Sequence, residues 1–144
     1  MSKENINIRM GTQIDKQYIL SIRPQAEALF PDKDNGYFIV AEGRTLLGCA
    51  MIFQRKIPAP VSETEAFINL IEVFDEAQYG KGIASFMIEE IVELERKKGT
   101  YQLRAYCDIN NISSHALWRK HHFGISPVKM PDNTIVGSFA TLVL

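Results

Sequence analysis

Two glycines flanking a lysine, Gly80-Lys81-Gly82, stand between an apolar strand-like run and the best amphipathic helix pattern in the chain. The first turn of a helix leaves backbone N–H groups without intrahelical acceptors, and proteins usually satisfy them with a Ser, Thr, Asp or Asn cap and nearby acids. From Gly80 to Met87 there is no Asp, Glu or Asn, and Lys81 adds a positive charge. Such a helix start suits an external anion, and the glycines let a phosphate or pyrophosphate approach the main chain closely. A glycine pair at a strand-to-helix turn also serves plain turn geometry, so the segment alone leaves both readings open.

Two nucleotide cradles fail on spacing. A P-loop needs Gly-x-x-x-x-Gly-Lys-Ser/Thr, whereas Lys81 is followed by Gly82 and Ile83, without the magnesium-binding hydroxyl. A dinucleotide fingerprint needs a third Gly or Ala where Ser85 stands. His115 and His122 are seven apart, too far for a helical metal pair, so no metal is expected. Cys107 sits among Leu103 and Ala105, the company of a core thiol rather than an acyl-carrying nucleophile. Ser113 and Ser114 read as helix-capping residues, and no Ser-His-Asp arrangement is visible.

Tyr79-Gly80-Lys81-Gly82-Ile83-Ala84 resembles the Gln/Arg-x-x-Gly-x-Gly/Ala signature of the GCN5-related N-acetyltransferase (GNAT) superfamily, with Gly82 and Ala84 at its last two defined positions. A second stretch, Asn111 to Phe123, is similar to that superfamily's Asn-x-x-Ala-x-x-Phe/Leu-Tyr-x-Lys-x-Gly-Phe segment and follows the first across one helix and one strand. The resemblance runs from about Ile6 to Leu144. It departs at Tyr79, where Gln or Arg is usual and Gln78 precedes, at Ser114 for Ala, at His122 for Gly, and at Trp118. Trp118 stands where the superfamily often has the Tyr proposed to protonate the leaving thiolate, and an indole N–H cannot act as that acid.

The resemblance implies a GNAT-like α/β fold whose mostly antiparallel sheet is split between two central parallel strands. It implies acetyl-CoA as cosubstrate, its pantetheine along Val73 and Phe74 and its pyrophosphate on Tyr79, Gly80, Lys81, Gly82, Ile83 and Ala84, with Asn111 also at the cofactor. The implied reaction is direct attack of a primary amine on the thioester. An alkylamine of pKa about 10.4 must first lose a proton, so a base is needed. Glu72 is the candidate, the one carboxylate within Ala66–Phe74, opposite Ile71 and Val73; a paired or exposed glutamate is the alternative. A bulge ahead of Asp75 would move that register by one residue. Tyr106, sharing a strand face with Arg104 and Asp108, is the candidate acid, although a thiol of pKa about 8.5 leaves readily without one. The acceptor is a small-molecule or peptide amine, and Asp32, Asp34, Glu63 and Glu65 hint at a cationic one. A homodimer is compatible with the resemblance. A catalytically idle acyl-CoA-binding or regulatory module, and a purely structural α/β domain, are the other classes the residues allow.

The elements that must position these groups are legible as periods. Ile6–Met10 alternates as a strand; Ile14–Phe30 has helical spacing broken at Pro24; Tyr37–Ala41 and Leu46–Phe53 make a hairpin. Lys56–Glu65, with two prolines, reads as a loop, and Ala66–Phe74 as a strand. In the helix after Gly82, Ala84, Met87, Ile88, Ile91 and Leu94 share one face and Ser85, Glu89, Glu93, Arg96 and Lys97 the other, with Gly99 as the stop. Tyr101–Ile109 is a strand, a short helix runs from Asn111 or Ser113 to His121, and one or two strands close the chain. The order β, α, β, β, β, α, β, α, β is that of a mixed α/β sheet.

Composition sets the outer limits. The 144 residues fit one domain, 1–144. With 46% hydrophobic and 23% charged residues they exclude a disordered or rod-like chain. Sixteen Lys+Arg against 17 Asp+Glu, with no long basic run, lacks the footprint of a nucleic-acid binder. No apolar run approaches the roughly 20 residues of a membrane span, and Met1–Met10 is polar rather than a signal sequence, so no membrane partner and a cytoplasmic location are expected. Cys49 and Cys107 are expected as reduced, buried thiols.

Overall fold

The computed structural model describes residues 5–144; Met1 to Glu4, the start of the polar stretch read above, lie outside them. Seven strands form one sheet: β1 (Asn7–Met10), β2 (Gly36–Glu42), β3 (Leu46–Lys56), β4 (Thr64–Val73), β5 (Gln102–Asp108), β6 (Gly124–Lys129) and β7 (Ile135–Val143). Their order is β1-β2-β3-β4-β5-β7-β6, antiparallel throughout except where β4 meets β5. Three helices flank the sheet: α1 (Gln13–Ile22), α2 (Ile83–Lys98) and α3 (Ile112–Lys120). The chain breaks α1 before Pro24 and continues as a 3-10 turn, Pro24–Leu29, as the proline requires. Thr12 and Asp15 close a reciprocal capping box at its start, and Arg9 holds Asp15 and Glu42 together, tying β1, α1 and β2.

The two central strands pair only over a short length. Glu65 to Ile68 of β4 face Gln102 to Ala105 of β5. Beyond that, β4 stays with β3 as far as Val73 opposite Gly48, and β5 stays with β7 as far as Asp108 opposite Gly137. The sheet therefore splits, leaving the β5-facing edge of upper β4 without a strand partner. A bulge accompanies the split: Ile52 pairs with Ile68 but Met51 with Leu70, so Asn69 is an extra residue. This is the bulge that the sequence leaves unplaced ahead of Asp75. Below it Ala66 and Ile68 point toward α2; above it Ile71 and Val73 do, and Leu70 and Phe74 point toward α1.

Each face has its own core. Ile83, Met87, Ile88 and Ile91 of α2 and Trp118 of α3 pack with Ile39, Ala50, Ile52, Ala66, Ile68, Leu103 and Ala105. Ile19 and Ala26 pack with Val40, Cys49 and Met51 on the opposite face. The amphipathic pattern of α2 needs one correction and one addition. Ser85, expected on the polar face, is buried against α3, where Oγ lies 2.9 Å from His121 Nε2 and accepts from Lys120. Glu95 is fully buried because its carboxylate accepts from Tyr37, Gln54 and Thr100, the donors that make burial of a charge tolerable. Glu65 is not part of an acidic loop: it lies in β4, buried, between Arg55 and Arg104.

Candidate active site

Helix α2 begins at Gly82, in the left-handed region at φ 83°, with no side-chain hydrogen bond capping it and no acid in its first turn. Its first backbone bond runs from Phe86 N–H to the Gly82 carbonyl, so the Ile83, Ala84 and Ser85 amides precede the first intrahelical donor. Gly80 also has positive φ, 78°. Three amides at the positive end of a 16-residue helix thus converge on one opening.

That opening is a cleft of about 650 Å³, in the range of small-molecule sites. Ile71, Glu72 and Val73 of β4 form one wall, Gln78 to Gly80 and Gly82 to Ser85 the floor, and Asn111, Ser114, Leu117 and Lys120 the wall contributed by α3. Val73, Tyr79, Gly80, Gly82, Ile83, Ala84 and Asn111 therefore meet at one place, as their candidate role requires. Phe74 and Lys81 do not line it: Phe74 packs on the α1 side and Lys81 is exposed. The Asn111 side chain caps α3, accepting from Ser114 N–H at 3.1 Å. Gln78 has a buried Oε1 without a hydrogen-bond partner. An acceptor left orphaned in a cleft wall, beside uncapped amides, fits a ligand that offers both N–H or O–H donors and a phosphate, as acetyl-CoA does.

Glu72 does face away from Ile71 and Val73. Arg23, the residue just before the proline break, donates through Nε to Glu72 Oε1 at 3.0 Å and through Nη2 to the Phe74 carbonyl at 3.3 Å. One guanidinium thereby fixes the candidate base and the end of β4 together. Tyr106 stands elsewhere: on the face of β5 opposite Cys107, 44% exposed, its hydroxyl donating to the Val136 carbonyl and its ring against Phe139. It is not among the residues lining the cleft.

Trp118 is buried in the core, its ring 5.0 Å from Phe123. The end of α3 explains the spacing of that segment. Phe123 N–H bonds to the Trp118 carbonyl and His122 N–H to that of Arg119, while His122 takes φ 69°. This is a Schellman motif, with the Trp118–Phe123 contact that accompanies it. The departure from Gly thus places a histidine in a left-handed cap.

Neither thiol has the setting of a nucleophile. Burial pushes Cys49 up to about 12. Burial likewise raises Cys107, whose Sγ lies 3.2 Å from His115 Nδ1. That nitrogen is 2.8 Å from the Asn111 carbonyl, which can only accept, so Nδ1 carries the proton and cannot take one from the thiol. Sequence reasoning missed Arg23 and Lys120. An isolated arginine before a proline carries no local sign of a partner 49 residues away.

The model of the acetyltransferase (GNAT) family matches residues 8–123. No curated protein matches the chain in sequence. Among solved structures, Arabidopsis thaliana NAA60 in complex with a bisubstrate analogue is similar at TM-score 0.75 and 12% identity, covering 96% of this chain and 97% of that one. A GNAT acetyltransferase of Elizabethkingia anophelis with acetyl-CoA bound gives 0.72 and 19%, over 99% and 100%. The ribosomal-protein-S18-alanine N-acetyltransferase of Escherichia coli gives 0.72 and 15%, over 96% and 93%.

Proposed function

The chain belongs to the acetyltransferase (GNAT) family, and on that premise we propose that residues 1–144 act as one domain transferring the acetyl group of acetyl-CoA to a primary amine. The observation that carries this reading is the uncapped start of α2, with its glycines and the orphaned Gln78 Oε1, opening on the split between β4 and β5. Acetyl-CoA supplies an acyl group activated as a thioester. The Ile83 to Ser85 amides bind its pyrophosphate, Lys120 adds positive charge at the same cleft, and the free edge of β4 near Val73 offers main-chain partners to its pantetheine arm.

The acceptor arrives as an ammonium ion, loses one proton and forms the C–N bond as the C–S bond breaks. Products are the amide, CoA as thiol and one released proton. Glu72 is the proposed proton acceptor, directly or through water, and Arg23 holds it at the α1 side of the split. Thiol departure needs no dedicated acid; Tyr106, on the acceptor face, remains the candidate donor. A second reading, an acyl-CoA-binding module without turnover, draws on Trp118 being buried in the core and the Tyr106 hydroxyl being spent on Val136.

Release of CoA thiol against a panel of amines separates the two, because both bind acetyl-CoA and only one turns over. Glu72→Gln is expected to lower kcat about 10²-fold or more, with KM for acetyl-CoA unchanged. Unaltered kcat across the pH range removes Glu72 from the mechanism, and no CoA release with any amine in the wild type leaves the binding module.

A further inference from the structure

The sequence hint of a cationic acceptor rested in part on Glu65, and the structure takes that residue out of it. Glu65 is buried, with both carboxylate oxygens taken: Oε2 by Arg55 Nε at 2.8 Å, Oε1 by Gln102 Nε2 at 2.9 Å and Arg104 Nη1 at 3.3 Å. One carboxylate between two guanidinium groups leaves one positive charge uncompensated. Glu72 is engaged by Arg23, and Asp108 stands four residues up β5 from Arg104, about 13 Å of strand. Neither Arg55 nor Arg104 has a second carboxylate partner among the described residues.

Arg104 occupies the foot of the split. It pairs with Phe67, one rung before Ile68 and Ala105, where β4 and β5 part. It lies on the sheet face opposite α2, together with Tyr106 and Phe139. The core under α1 on this face draws on β2, β3 and β4, and the Tyr106 ring on neighbouring β5 is 44% exposed. The Arg104 guanidinium lies 4.4 Å over the Phe139 ring, which fixes its plane, and its contact with Glu65 is the longest of the three that carboxylate receives. A planar guanidinium so placed, with donors to spare, binds a second oxyanion in fork geometry.

The cofactor cleft opens on the α2 side of the split, so an acceptor reaches the split from the opposite face, past Arg104. We propose that the acceptor is a small amine that also carries an anionic group, a carboxylate or a phosphate, and that Arg104 binds that group while the amine enters the split. The proposal rests on the acetyltransferase reading given above. Arg55, anchored on the same Glu65 and lying 5.5 Å over Phe67, supports the field from the β3 side.

Matched pairs test it: β-alanine against propylamine, aminoethyl phosphate against ethanolamine, and an α-amino acid against its amide, with CoA thiol release as readout. In the wild type the anionic member of at least one pair is expected to show kcat/KM higher by about tenfold or more. Arg104→Gln is expected to bring that ratio close to one through KM for the anionic amine, and Arg104→Lys to restore part of it. The carboxylate and phosphate pairs distinguish the two anion sources. Equal rates within every pair, or a ratio unchanged in Arg104→Gln, overturns the proposal. A readout free of turnover separates it from the acetyltransferase reading: β-alanine, aminoethyl phosphate and propylamine are titrated into the intact chain while the Arg104 Nε–H resonance is followed. A shift with an anionic amine but not with propylamine, in a chain that releases no CoA, retains the anion site and sinks only the acyl-transfer reading. No shift with either anionic amine overturns the anion site.

Discussion

Replacing Gly82 with alanine separates the cost of a strained helix start from the loss of a ligand. Gly82 sits at φ 83°, and a β-carbon built there meets nothing nearer than Phe86 at 3.5 Å. The protein itself has room for alanine, so the penalty without ligand is the left-handed backbone alone, about 1 kcal/mol. With an unfolding entropy of about 0.3 kcal/mol per kelvin for a chain of this length, that lowers Tm by about 3 °C. Acetyl-CoA at 100 times its Kd should stabilise the wild type by about 2.7 kcal/mol, a rise of about 9 °C. Gly99, at the other end of α2, is the internal control: its φ is 78° and a β-carbon there meets nothing within 4 Å. Gly99→Ala carries the same backbone penalty at a site remote from the cleft. In thermal unfolding with and without acetyl-CoA, both variants should start about 3 °C low, and only Gly99→Ala should keep the ligand-induced rise. A full rise in Gly82→Ala, or equal loss in both, refutes the assignment of the phosphate cradle to the start of α2.

His122→Gly relieves a histidine at φ 69° in the Schellman turn and should raise stability by about 0.5–1 kcal/mol, net of the freedom glycine gains when unfolded; an unchanged Tm rejects strain at that cap. Arg23→Gln removes the guanidinium shared by Glu72 and the Phe74 carbonyl. As a half-exposed ion pair it should cost under about 1 kcal/mol of stability, yet kcat should fall with KM for acetyl-CoA held, and Arg23→Lys should recover part of it. Burial lowers the His121 imidazole below its ordinary value, so the unfolded chain takes up that proton first as pH falls below about 6.5. Stability should decline from there down to the folded-state value, and His121→Gln should flatten that part of a denaturation-against-pH curve.

What the sequence discloses divides by range. The glycine cradle is legible because its chemistry is local: a helix start without a cap, and residues that permit positive φ, are written in consecutive positions. The hairpin, the break at Pro24 and the stop at Gly99 follow for the same reason. The bulge at Asn69 is not legible, since Ile68-Asn69-Leu70-Ile71 satisfies either register until β3 is laid beside it. Ser85 reads as a polar-face residue because periodicity counts polarity, and Glu95 is assigned to neither face, whereas the burial of both depends on His121, Tyr37, Gln54 and Thr100, brought in from other elements. The same holds for Glu65, whose acidity is plain in the sequence and whose two arginines are not. The candidate base could be chosen from strand alternation, but its tether to Arg23 spans 49 residues.

The extra residue at Asn69 makes β4 a strand of two parities. Odd-numbered positions below it and even-numbered positions above it belong to the α1 face, so one continuous segment contributes Glu65 and Phe67 to that face at one end and Glu72 at the other. Were Asn69 drawn into the ladder as a paired residue, the duties of every residue above it would be exchanged, turning Glu72 toward α2 and Ile71 and Val73 toward the α1 face, whereas deleting it closes the bulge and leaves those faces as they are. For a designer, whether that one position is paired or bulged is then a stronger lever on the location of the acid than any substitution along the strand. For a drifting gene, loss of one residue here is absorbed by the bulge, whereas the same loss in an unbulged strand rewires which partner meets which side chain.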